Sequence, residues 1–81
     1  PAHLTLYPNP SNGNFYLNAG SESITSLRIY DLSGKEVFRM KDEFKGKIIL
    51  DIGDTSAGVY MLYAETEKGS IIRKKIICIN E

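Results

Sequence analysis

Cysteine is almost missing from this chain: Cys78 stands alone, so there can be no internal disulfide and no cysteine-based metal site. Histidine is as scarce. His3 has no second imidazole for zinc and no nearby nucleophile for a triad, and reads as an exposed residue at a strand's start. An excess of either charge is also missing. Ten basic residues balance ten acidic ones, whereas a nucleic-acid reader would carry a basic surplus to displace phosphate counterions. No apolar run approaches the roughly 18 residues of a membrane span, and no signal-peptide pattern opens the sequence. Phosphate-cradling glycine loops, a His-Glu helix pair and a nucleophile elbow are all lacking. These absences remove catalytic residues, metal ligands and cofactors from the expectation. The length, 81 residues, makes residues 1–81 a single domain. A chain this short buries only about 60% of its extended-state surface, leaving little room for a deep pocket.

What the sequence does have is turn chemistry between short apolar alternations. Tyr7-Pro8-Asn9-Pro10-Ser11-Asn12-Gly13 separates Leu4/Leu6 from Phe15/Leu17. Each proline fixes φ near −65°, lacks an N–H and pushes its predecessor toward extended geometry, so no helix can cross. Asn12-Gly13 then lets the chain reverse. Leu4-Thr5-Leu6 and Asn14 to Asn18 alternate with period 2, placing Phe15 and Leu17 inward and Tyr16 outward. The small, polar Asn18 to Ser23 stretch predicts a loop, and Leu27 to Tyr30 a third strand. Asp31-Leu32-Ser33-Gly34-Lys35 spells a hairpin, with Asp31 capping and Gly34 left-handed. In the return strand, Lys35 to Met40, Val37 conflicts in parity with Phe38 and Met40. Lys41 to Lys47 reads as a charged connection around Phe44. Ile48, Leu50 and Ile52 then share one face, and a turn from Gly53 to Gly58 leads into Val59 to Ala64. That strand is apolar on both faces and belongs in the middle of a sheet. Glu67 to Ser70 forms the last turn, before Ile71 to Ile79.

Seven short strands at roughly ten-residue intervals, without any 3.6-residue repeat, predict an all-β, seven-stranded antiparallel β-sandwich of immunoglobulin-like Greek-key order. Asp51 and Asp54 are the nearest carboxylate pair; they are too few for a tight calcium loop and read as turn caps. Cys78 reads as a small buried hydrophobe, with Lys75 on the opposite face. Asn9-Pro10-Ser11 fails as a glycosylation acceptor because proline occupies the middle position. Outward tyrosines such as Tyr16 and Tyr30 leave open a sugar platform on an accessory binding module, and Arg73-Lys74-Lys75 reads as charge guarding a sheet edge.

Four motifs in order, Tyr7-Pro8-Asn9-Pro10 with Gly13, Asp31 to Val37, Ala57 to Leu62 and Arg73 to Ile77, together resemble the type A C-terminal sorting domain of the type IX secretion system. Gly53 and Thr55 depart from that family's usual serine and apolar residue. The resemblance implies a secretion signal, not an enzyme. An N-terminal cargo is carried in cis, passes through the periplasm and is recognised by the outer-membrane type IX translocon and its shuttle proteins. A sortase-like surface peptidase then usually removes the domain and joins the cargo to lipopolysaccharide, leaving it at the cell surface or secreted. Pro8, Asn9, Pro10, Gly13, Gly34, Gly58, Tyr60, Lys74, Lys75, Ile76 and Ile77 match the recurring motifs, with the last strand most associated with recognition. Pro1 is not a normal translation start, so the chain is expected to be part of a longer protein. The rival expectations are a carbohydrate- or protein-binding accessory module of a secreted enzyme and a filler domain that spaces an enzyme from the surface.

Overall fold

Alternation of apolar and polar residues drives this chain into strands, because extended backbone sends successive side chains to opposite faces. The computed structural model describes residues 4–8, 12–53 and 56–79. Among them are six strands and no helix: β1 (Thr5–Tyr7), β2 (Asn14–Asp31), β3 (Glu36–Met40), β4 (Phe44–Asp51), β5 (Gly58–Thr66) and β6 (Ile71–Cys78). All pairings are antiparallel and join one hydrogen-bonded sheet.

The expected count of seven becomes six because the second and third expected strands are one. β2 runs through the stretch whose polar composition suggested a loop. Its N-terminal part pairs with β1 and β4, and its C-terminal part with β3 and β5. The changeover is irregular. Against β4 the register jumps from Asn18↔Lys47 to Ser23↔Lys45, so Ala19 to Glu22 face only Gly46, and Asn18 Oδ1 accepts a hydrogen bond from the Gly20 N–H at 2.9 Å. A bulge increases local twist and re-aims a strand. β2 thereby serves two sets of partners, and the ladder is one connected sheet rather than two independent ones.

A second bulge resolves the parity conflict in β3. Ile29 pairs with Phe38 but Tyr30 pairs with Glu36, so Val37 is an extra residue, and Val37, Phe38 and Met40 all pack against the core. The charged connection also shortens, since β4 begins at Phe44, which is half-buried against the core and pairs with Ile24.

The core joins both parts of β2: Phe15, Leu17 and Ala19 from one, Ile24, Leu27 and Ile29 from the other, closed by Leu50, Leu62, Ala64 and Ile76. Burying each large apolar side chain contributes about 1.5 to 3 kcal/mol. Cys78 is a buried free thiol in this cluster, as its alternation suggested. β5 lies between β2 and β6, in the interior position that its two apolar faces required.

The turns behave as their residues dictate. β1 pairs alongside β2 with Tyr7 opposite Tyr16; of the proline corner, Asn9, Pro10 and Ser11 lie outside the described residues, as do His3 and Asp54. Gly13 has φ +107°, and its carbonyl accepts a hydrogen bond from the Ile52 N–H at 3.0 Å. A Cβ there would sit 3.1 Å from the Gly53 carbonyl oxygen. Gly13→Ala therefore combines an unfavourable backbone region with a close backbone contact, and urea unfolding should show a loss of about 2 kcal/mol.

Candidate recognition surface

The turns after β2 and β4 are built by local side-chain acceptors. Asp31 Oδ1 accepts hydrogen bonds from the Ser33 hydroxyl at 2.7 Å and from the N–H groups of Ser33 and Lys35, both at 2.9 Å. Gly34, at φ +91°, sends its N–H back to the Asp31 carbonyl. These donors, led by the Ser33 hydroxyl and then the Lys35 amide, hold the Asp31 carboxyl below its ordinary 3.8. A depressed folded value stabilises the fold above the unfolded pKa, and that contribution disappears as pH falls through the folded pKa. The stability difference between wild type and Asp31→Asn should accordingly shrink below about pH 4, as urea midpoints measured across that range would show. Asp51 caps its own turn, accepting from the Gly53 N–H at 2.8 Å.

Gly58 opens β5, and Tyr60, 5% exposed, follows on the core face. Its hydroxyl donates to the Ser56 carbonyl at 2.6 Å. Alternation alone gives the ring an inward direction but not this acceptor, which lies four residues back in a turn. The bond ties the turn to the core while satisfying the buried end of the ring.

β6 pairs with β5 from Glu65↔Ile71 to Gly58↔Cys78 and ends the strand order among the described residues. Ile76 and Cys78 are buried and Lys74 is half-buried on their side; Arg73 and Lys75 are exposed on the other. Lys75 and Ile77 are each engaged in a contact. The motif Lys74 to Ile77 is thus divided between two faces. Ile76 holds the strand to the core, and the lysines leave the sheet in opposite directions. Tyr60 lies opposite Ile76 in the ladder, so two of the motif positions form one cross-strand pair. Pro8, Gly13 and Gly34 lie at corners remote in sequence from β6, and they shape turns rather than joining a common pocket.

The tyrosines outside the core do not form an open sugar platform. Tyr7 and Tyr16 stack on each other with centroids 5.3 Å apart, and Lys47 Nζ lies 5.4 Å from the Tyr16 ring centre. One face of Tyr16 is spent on Tyr7, and a cation stands over the ring. Tyr30 and Tyr63 pack edge to face at 5.7 Å. Among the described residues there is no group of histidine, cysteine and carboxylate side chains that could hold a metal, and no helix long and apolar enough to cross a membrane.

Residues 5–79, from the first strand to just past the last, match the model of the secretion system C-terminal sorting domain. The chain is also similar to an endo-acting ulvan lyase of Formosa agariphila, with 30% identity over 76 residues. That match covers 91% of this chain and only 14% of the lyase, so the chain spans a small part of its relative's length. With nearly the whole sheet inside the matched range, the chain belongs to the secretion system C-terminal sorting domain family, whose role is that of a secretion signal.

Proposed function

We propose that this domain acts at the C-terminal side of a secreted cargo, directing it from the periplasm through the outer-membrane type IX translocon to the cell surface or beyond. The domain itself performs no chemistry. A sortase-like surface peptidase removes it, and the cargo is joined to lipopolysaccharide. The similarity to an endo-acting ulvan lyase supports a lyase of that kind as one class of cargo. In this reading the sheet is a two-layer, immunoglobulin-like sandwich in which two of the seven expected strands run together as β2.

The observation that carries the proposal is the match of residues 5–79, β6 included, to the sorting-domain family. A strand sends alternate side chains to opposite faces, and such a pattern can give a partner its specificity. Lys74, Lys75, Ile76 and Ile77 supply that side-chain pattern, while Tyr60 and Gly58 set the strand beneath it. Pro8, Gly13 and Gly34 shape corners that let the domain fold behind any cargo, and Asn9 and Pro10 belong to the same sequence motif. Residues 1–81 placed behind a periplasmic fluorescent reporter, in a bacterium with type IX machinery, should carry the reporter outside. A reporter kept in the periplasm refutes the proposal.

A further inference from the structure

One face of the sheet collects cationic side chains from three strands. Arg39 on β3, Arg28 on β2, Tyr63 on β5 and Arg73 on β6 form a continuous cross-strand row, through the pairs Arg28↔Arg39, Arg28↔Tyr63 and Tyr63↔Arg73. The whole chain is neutral, but the outward residues of this row and its neighbours put four cations, with Lys75 the fourth, against Glu36 and Glu65. Glu36 is committed to Arg39, whose Nη2 and Nε donate to its Oε1 at 2.9 and 3.0 Å and whose charge it favours. Neither Arg28 nor Arg73 forms an ion pair among the described residues.

Arg28 breaks two local rules at once. Its direct neighbour on β3 is another arginine, and like charges opposite each other in a ladder repel. Its Nε is buried without a hydrogen-bond partner, and an orphaned donor is costly. Two open grooves meet at this side chain: one of about 440 Å³ lined also by Arg39, Lys41 and Glu65, the other of about 530 Å³ lined also by Tyr30, Met61 and Tyr63, with Asp31 and Leu32 at the hairpin after β2. Local conflicts of this kind gather at functional sites. A carboxylate beside Arg28 would offset the repulsion and offer its guanidinium fork an acceptor.

We propose that the Arg28–Tyr63–Arg73 face docks an acidic polypeptide segment that presents carboxylates next to an apolar side chain. Arg28 and Arg73 lie two strand spacings apart, about 10 Å, whereas alternate side chains of an extended segment are about 7 Å apart. The flexible stems of both arginines span the difference. Met61 gives the neighbouring groove a soft, adaptable floor for the apolar residue. Tyr30 and Tyr63 are already packed edge to face, which disfavours the flat stacking that a sugar ring or base would need.

The test titrates the isotope-labelled 81-residue chain with a short capped peptide of alternating glutamate and leucine, following the arginine Nε–H signals by NMR. Saturable shifts at Arg28 and Arg73 are expected, weakening as salt rises. Arg28→Lys keeps the charge but loses the fork, and should bind about tenfold more weakly at unchanged thermal stability. Unsaturable shifts, shifts confined to the β1–β2–β4 face, or unchanged binding by Arg28→Lys would each overturn the inference. So would tighter binding of heparin than of the peptide, which would assign the face to an acidic polysaccharide. Export of a reporter is a separate readout, so a negative titration leaves the sorting role intact.

Discussion

Phe15→Ala is expected to remove a large share of the stability of the domain. Phe15 is 1% exposed and lies on β2 between β1 and β4, so its ring joins elements that are distant in sequence. Removing a buried phenylalanine costs about 3 to 5 kcal/mol, from lost transfer energy and the cavity left behind. A domain of this size has only about 4 to 12 kcal/mol in total at typical per-residue stability. Urea unfolding followed by far-ultraviolet circular dichroism gives the value. A loss below about 1 kcal/mol would mean that the ring is not enclosed as described.

The second large effect concerns transport, not stability. Lys74→Gln combined with Lys75→Gln removes two charges from β6 while keeping most of each side chain's length and leaving Ile76 in the core. Such substitutions should shift stability by no more than about 1 kcal/mol. If β6 is what the machinery reads, export of a fused reporter should nevertheless fall by more than about tenfold, equivalent to ~1.4 kcal/mol of recognition. Measuring reporter outside the cell beside the melting temperature of the purified variant separates the two effects. Normal export with both lysines neutralised would remove them from the recognition motif.

Most corners of this fold were legible because glycine, proline, asparagine and aspartate act through local backbone chemistry. Asp31 and Gly34 make the hairpin that their spacing specifies, and Asp51 caps its turn. The inward positions of Phe15, Leu17, Leu50 and Cys78 follow from period-2 alternation, and burial agrees. What escaped was non-local. The polar stretch after Asn18 has a loop's composition, yet β4 pairs with both of its ends, Asn18 and Ser23, and β5 takes over from Ile24, so one long strand continues across the bulge. The facing of β3 was unreadable by parity because Val37 is an extra residue in the ladder, which only the register against β2 reveals. Lys74 to Ile77 were visible as a motif. The row joining Arg28, Tyr63 and Arg73 was not, since it exists only once three strands that are remote in sequence lie side by side.

The most direct measurement places a photoreactive residue at Arg73, exposed on β6, or at Ile49, which is 69% exposed on β4, and irradiates cells while a fused reporter is being exported. Adducts from position 73 to a component of the type IX translocon, with none from position 49, are the expected result. Efficient export with no adduct from position 73, or with adducts from position 49 instead, would contradict recognition through β6.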